Sequence, residues 1–319
     1  MKIVVADPIF LTEEYIKRLE ALSELEIYDN VPASQNEFIE RIKDAEIIIV
    51  GRYGVDAKAL RSAPKLKMIS LWQTGFDNVD LEVATECGVI VSNVPNYAFD
   101  SVAEFVFALS LNLLRRVRLA DMSLRKGLFN WEVPYGKTAH EQDYRHAGYW
   151  RHRKKDNTDT HGFNMNVLSV TAHPSSERAQ ALGVTFVDLD TLLSESDIVT
   201  LHVPLTPETE HMISTLELAK MKSTAILINT AREKVINKAA LIEALREKKT
   251  AGAGLNVFEK EPLPTDNPVL EMDNVVLTPH IGFLSEESLD ECTYMSIENV
   301  EMFTKGKPQN VVNSLVLKS

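Results

Sequence analysis

Short β-rich apolar runs alternate with amphipathic stretches through most of this chain, and that alternation restricts the fold more than any other feature. KIVVAD (2–7), EIIIVGR (46–52), KMISLWQTG (67–75) and GVIVSNVP (88–95) are separated by segments of helical spacing such as LTEEYIKRLEALSE. After Gly162 the pattern returns with MNVLSV, SERAQALG, DIVTLHVP, AILINTA, AGAGLNV and NVVLTPH. Such alternation builds βαβ units, so the expected fold class is α/β with doubly wound parallel sheets. At 319 residues there is room for two cores. The expected division is 1–97 plus 285–319 for one domain and 98–284 for the other. From Phe99 a single long apolar helix is predicted through SVAEFVFALSLNLLRRVRLADMSL, connecting the domains.

Charge narrows the partners. A formal charge of -12 repels phosphate, so no nucleic acid is expected. An anionic small molecule is compatible if cations are placed locally. Cys87 and Cys292 form no CxxC motif, which fits a reduced, cytoplasmic setting. MKIVVADPIF reads as a first strand, not a signal peptide, and no run approaches the ~20 apolar residues of a membrane helix, so no membrane partner is expected.

In open parallel sheets, ligands gather at the carboxyl ends of strands. AILINTAR runs off one strand into Arg232, AGAGLNVFEKEP off another into Glu259 and Glu261, and NVVLTPHIG off a third into His280. Pro279 stiffens that last approach and Gly282 permits a tight exit. A fixed cation, a carboxylate and an imidazole together suit reduction of a 2-oxoacid. Arg232 would hold the substrate carboxylate in a fork and polarise the carbonyl. His280 would exchange the proton, and Glu261 would hydrogen-bond the imidazole and stabilise its charged form.

The motifs WQTGFDNVDL, NVPNYAFDSVAEFVFAL, SDIVTLHVPLTPET, LINTAR, GLNVFEKEPLP and VVLTPHIG resemble those of the D-isomer-specific 2-hydroxyacid dehydrogenases over nearly the whole chain. The resemblance implies a flavodoxin-like substrate domain and a Rossmann nucleotide domain. It implies NAD or NADP as cofactor, a small 2-oxoacid/2-hydroxyacid as substrate, and a homodimer formed through the helix from Phe99 to Leu119. It also implies that Arg232, Glu261 and His280 are the catalytic set, and that backbone N–H groups near Thr74 and Gly75 hold the substrate carboxylate. Val203, Thr230, Ala231 and Asn256 would line the nicotinamide side, with Arg232, His280 and Gly282 beside them and Thr74 reaching the same site.

Several positions depart from the family pattern. Glu233-Lys234 replaces a usual glycine pair after the arginine, Asn256 replaces a usual aspartate, and Thr171 follows MNVLSV where an acidic residue would bind the adenosine ribose. Without that carboxylate a 2′-phosphate is not repelled. No arginine is expected beside Thr171 to bind one, so NAD and NADP both stay open.

The largest departure is GKTAHEQDYRHAGYWRHRKKDNTDTHG, residues 136–162, which should hold the glycine turn and has no Gly-x-Gly-x-x-Gly. His140, His146, His152 and His161 lie inside it, but with no cysteine and no regular ligand spacing no metal is expected. The length from Gly136 to Met165 matches what the family needs, so residues are changed while length is kept. Compensated reading-frame shifts do this. Paired single-base shifts in a permitted reverse translation give GKLHMNRIIGIAGYGDIGKRITQIAHG. That text has a β-rich strand, a glycine turn opening at Gly148 and an amphipathic helix, in the order a pyrophosphate site requires. Residues 138–161 are therefore read as frame-scrambled. The alternative is a non-catalytic binding protein on a dehydrogenase scaffold.

Overall fold

A computed structural model describes residues 1–129, 136–139, 143–147 (as backbone) and 163–318. Contacts divide the chain into Met1–Phe99 with Leu284–Ser319, and Asp100–Phe283.

The first unit is built on β1 (Lys2–Val5), β2 (Glu24–Ile27), β3 (Ile47–Val50), β4 (Met68–Leu71) and β5 (Ile90–Ser92), in the order β2-β1-β3-β4-β5. All four neighbouring pairs are parallel. β3 and β4 are buried along their full length while β2, ELEI, lies at the edge and stays partly exposed, as the interior and margin of a covered sheet require. The helices between them are α1 (Glu13–Glu20), α2 (Gln35–Ile42), α3 (Ala57–Arg61) and α4 (Leu81–Glu86). Thr12, Ser34, Asp56 and Asp80 cap them, each side chain accepting a backbone N–H from the first turn.

The second unit opens with α5 (Phe99–Arg115) and α6 (Val117–Arg125). The single long helix expected here is thus two. Arg116 takes the left-handed conformation (φ 56°) and ends the first. Gly136 lies against the end of α5, where a Cβ would collide with the Leu114 carbonyl oxygen, and Lys137 N–H donates to that oxygen at 2.9 Å. The strands are β6 (Asp143–Ala147), β7 (Asn166–Val170), β8 (Thr185–Phe186), β9 (Ile198–Leu201), β10 (Ile226–Asn229), β11 (Gly252–Leu255) and β12 (Val275–Leu277). The connecting helices are α7 (Ser176–Leu182), α8 (Leu189–Glu195), α9 (Thr215–Lys220) and α10 (Lys238–Arg246). α11 (Glu286–Thr304) returns to the first unit, where the Trp72 indole donates to Thr293 and Ser70 donates to the Ser296 carbonyl, both at 2.8 Å.

The second sheet runs β12-β11-β10-β9-β6-β7-β8 and is parallel throughout. Strand order reverses between β6 and β9, the switch point at which a doubly wound sheet binds its ligand. β6 is DYRHA, paired with β7 from Asp143↔Asn166 to Ala147↔Val170 and with β9 from Tyr144↔Ile198 to Ala147↔Leu201. A strand paired on both sides in such a sheet is ordinarily a Val/Ile/Leu run, as β9 (IVTL) and β10 (ILIN) are. The re-read text writes IIGIA over the same five positions.

α5 lies close on β11 because β11 supplies glycine. A Cβ on Gly254 would stand 2.8 Å from Ile228 Cδ1 and 3.1 Å from Leu109 Cβ. Gly254→Ala is therefore expected to destabilise the second unit by about 1–3 kcal/mol, the usual cost of overpacking. Urea denaturation checks this, and a midpoint equal to the parent's would show that α5 yields without cost.

Candidate active site

Arg232, Glu261 and His280 follow β10, β11 and β12, three neighbouring strands, so the sheet brings their loops to one edge. β10 ends in Asn229, and Arg232 follows in extended conformation before a 3-10 turn, Glu233–Val235. The Arg232 guanidinium is half-buried and donates from Nη1 to the Ala231 carbonyl at 2.9 Å. Where a glycine pair is usual, the turn closes through Val235 N–H on the Arg232 carbonyl (3.3 Å) and Ile236 N–H on that of Glu233 (2.9 Å). Burial, then repulsion from Glu259, holds the Glu233 carboxyl above its ordinary range, although Lys238, His211 and Lys234 oppose this.

Glu261 precedes Pro262 through a cis peptide bond and is oriented by the Phe258 N–H, which donates to Oε1 at 2.9 Å. Its carboxylate meets His280 Nδ1 at 2.9 Å from Oε2 and 3.2 Å from Oε1. With Nδ1–H donated to the carboxylate, Nε2 is the nitrogen left to exchange a proton. The two side chains are 40% and 38% exposed, which leaves the ring accessible and makes the pair a minor contributor to stability. His280 has positive φ (53°), and its N–H donates to the Asn256 carbonyl at 2.8 Å and to that of Thr278 at 2.9 Å.

On the expected nicotinamide side, Val203, Thr230 and Ala231 follow β9 and β10, and Asn256 follows β11. The Thr230 hydroxyl is buried with no partner among the described residues. A buried hydroxyl without a bond is costly, and a polar ligand group at this strand end would satisfy it, so these residues fit a nicotinamide cofactor. Gly282 lies flush against Asn256, where a Cβ would meet Nδ2 at 3.0 Å. Gly148 falls outside the described residues, as do His140, His152, His161 and the rest of the glycine-turn segment; His146 is described as backbone alone.

Arg178 folds back onto the loop that follows Thr171. The Thr171 hydroxyl accepts the His173 N–H at 3.3 Å, and Arg178 Nη1 donates to the His173 carbonyl at 2.6 Å. The first helical turn thus brings Arg178 back onto the loop after Thr171, a folding-back that counting along the sequence could not show. In the first unit, the Thr74 hydroxyl donates to the Val94 carbonyl at 2.6 Å and Asn93 Nδ2 donates to the Thr74 carbonyl at 2.7 Å. No described residue accepts the backbone N–H of Thr74 or Gly75. Among the described residues no cluster of His, Cys, Asp or Glu could hold a metal ion, and no helix is long and apolar enough to cross a membrane.

Two parallel sheets, one with its order reversing between β6 and β9, and an imidazole–carboxylate pair beside an arginine loop define a dinucleotide-dependent oxidoreductase architecture. The chain belongs to the D-isomer specific 2-hydroxyacid dehydrogenases: the family described as "D-isomer specific 2-hydroxyacid dehydrogenase, NAD binding domain" matches residues 107–282. It is 38% identical to a glyoxylate reductase of Korarchaeum cryptofilum, over 97% of each chain. Among solved structures it resembles an acyclic imino acid reductase in complex with NADPH and D-Arg (TM-score 0.89, 29% identity, 98% of this chain and 100% of that one). It also resembles D-lactate dehydrogenase from Aquifex aeolicus complexed with NAD and lactic acid (TM-score 0.83, 30% identity, 96% of each). The protein thus belongs to a family of NAD- or NADP-dependent oxidoreductases that interconvert 2-hydroxyacids and 2-oxoacids.

Proposed function

We propose that Arg232, Glu261 and His280 reduce a small 2-oxoacid to its D-2-hydroxyacid, consuming NAD(P)H and a proton and releasing NAD(P)⁺. The observation that carries this reading is the 2.9 Å contact between His280 Nδ1 and Glu261 Oε2, on a loop adjoining that of Arg232. The cofactor supplies the hydride. Arg232 pins the substrate carboxylate and polarises the carbonyl with its planar fork, helped by the Thr74 and Gly75 N–H groups. His280 delivers the proton from Nε2 as the carbonyl oxygen gains charge, and Glu261 orients the ring through Nδ1. Val203, Thr230, Ala231, Asn256 and Gly282 line the nicotinamide, and Thr171 and Gly148 the adenosine and pyrophosphate ends. Arg178 beside the Thr171 loop favours NADPH, since an arginine near that strand end suits a 2′-phosphate.

Residues 1–97 with 285–319 serve as the substrate domain and 98–284 as the nucleotide domain. Glyoxylate, hydroxypyruvate and phosphoglycerate-type acids are the substrate candidates. A homodimer through the helix from Phe99 and a cytoplasmic location complete the reading. Residues 138–161 as written are a scrambled form of the glycine turn, so activity is expected of the re-read chain. A nicotinamide absorbance assay of that chain over the three substrate types tests the proposal. Oxidation of NAD(P)H by glyoxylate or hydroxypyruvate, or reduction of NAD(P)⁺ by phosphoglycerate, supports it, and no change with any would leave a binding protein on a dehydrogenase scaffold.

Arg232→Lys keeps the charge and loses the fork. In the re-read chain kcat/KM should fall about 10–100-fold, the worth of one charged hydrogen bond. Parent-like kinetics in this variant would remove Arg232 as the substrate anchor.

A further inference from the structure

Asn229 and Asn256 are buried asparagines, 1% and 2% exposed, at the ends of adjacent strands β10 and β11. Asn229 uses its amide in both directions: Nδ2 donates to the Arg232 carbonyl at 2.9 Å and Oδ1 accepts the Ala231 N–H at 3.0 Å. Both of these side-chain hydrogen bonds fix the backbone on which Arg232 rides. The Asn256 side chain does the same for the loop around His280, but through Oδ1 alone. Its Oδ1 accepts the Ile281 N–H at 2.9 Å and the Thr278 hydroxyl at 3.0 Å, while its own carbonyl accepts the His280 N–H at 2.8 Å. The two are linked, because the Asn256 N–H donates to the Asn229 carbonyl at 3.0 Å.

We propose that Asn229 and Asn256 form a positioning clamp that sets the Arg232 and His280 loops against each other, with Asn229 acting as donor and acceptor and Asn256 as acceptor alone. The proposal rests on the roles given above to Arg232 and His280. Its physical basis is the cost of leaving a buried amide unpaired, which makes each loop's main chain the partner that completes the asparagine. His280 needs such support most, since its positive φ is a conformation that side chains other than glycine seldom hold unaided. The position at 256 gains a second meaning. Asparagine there removes a charge beside the nicotinamide while keeping the carbonyl oxygen that holds the His280 loop.

The donor–acceptor difference separates the clamp from simple packing. Asparagine to aspartate keeps shape and acceptors and removes the donor. Asn256→Asp should therefore retain the His280 loop, whereas Asn229→Asp sets a carboxylate oxygen against the Arg232 carbonyl and should release the arginine loop. Alanine at either position releases the corresponding loop.

Two measurements test this. Hydrogen exchange on the chain as it stands reads the Ala231 and Ile281 amides directly. Exchange at Ile281 should quicken about 5–10-fold in Asn256→Ala, the loss of one hydrogen bond, and return towards the parent rate in Asn256→Asp. Ala231 should quicken similarly in Asn229→Ala. In the re-read chain, steady-state kinetics with glyoxylate should show Asn229→Ala and Asn229→Asp raising KM and lowering kcat, and Asn256→Ala lowering kcat with less effect on KM. Losses of about 10²-fold are expected if a reacting group moves by ~1 Å. Asn256→Asp should recover most of the turnover that Asn256→Ala loses. Equal effects of aspartate at the two positions, or parent-rate exchange at Ile281 in Asn256→Ala, would overturn the clamp. If the re-read parent turns over no 2-oxoacid, the functional reading fails instead, and the exchange rates still decide whether the asparagines hold these loops.

Discussion

His280→Asn in the re-read chain is expected to lower kcat by about 10²–10⁴-fold, the usual contribution of a positioned general acid. Asparagine can still donate a hydrogen bond to Glu261 and has similar reach, so the loop loses little of its support. What it cannot do is carry a proton to the carbonyl oxygen. The Asn256 carbonyl continues to accept the residue's backbone N–H, and cofactor affinity should change far less than turnover. Steady-state kinetics beside a calorimetric titration of NAD(P)H separates these. Wild-type-like turnover would remove His280 from the proton path, and equal losses in binding and turnover would make its role structural.

The second large effect concerns the segment from Gly148 to Gly162. Dinucleotide affinity depends on backbone N–H groups at a helix N-terminus and on glycines small enough for the pyrophosphate to approach. YWRHRKKD at 149–156 puts Trp150 and Arg153 where the re-read text has glycine. Cationic side chains attract phosphate, but attraction through charge alone is weak and sensitive to salt. Paired calorimetry is expected to give tight binding of NADPH or NADH by the re-read chain and weak or undetectable binding by the chain as written. Equally tight binding by both would show that the written segment forms a working cradle by other means.

The α/β class and the parallel sheets were legible because central strands such as IIIV and ILIN are continuous apolar runs, and their chemistry does not depend on distant partners. The strand ends were legible for the same reason, since Arg232, Glu261 and His280 follow where apolar runs stop. Three features were not. The break at Arg116 comes from one residue's left-handed backbone, which an apolar periodicity continuing through RRVRLADM conceals. Arg178 reaches the Thr171 loop by helical folding-back across several residues. Asn229 passed unnoticed although a polar residue closing the apolar strand ILIN is a signal: a buried amide must find partners, and here they are the main-chain groups around Arg232. DYRHA is a different case. Nothing in its composition reads as a central strand, yet β6 occupies the place between β7 and β9 that the re-read text fills with IIGIA.

The configuration of the product tests the central claim most directly. The re-read chain, given hydroxypyruvate and NADH or NADPH, should form D-glycerate in amounts equal to the nicotinamide oxidised, as resolved by chiral chromatography against absorbance loss. L-glycerate, a racemic mixture, or nicotinamide oxidation without glycerate would contradict the assignment of Arg232, Glu261 and His280 to stereospecific reduction of a 2-oxoacid.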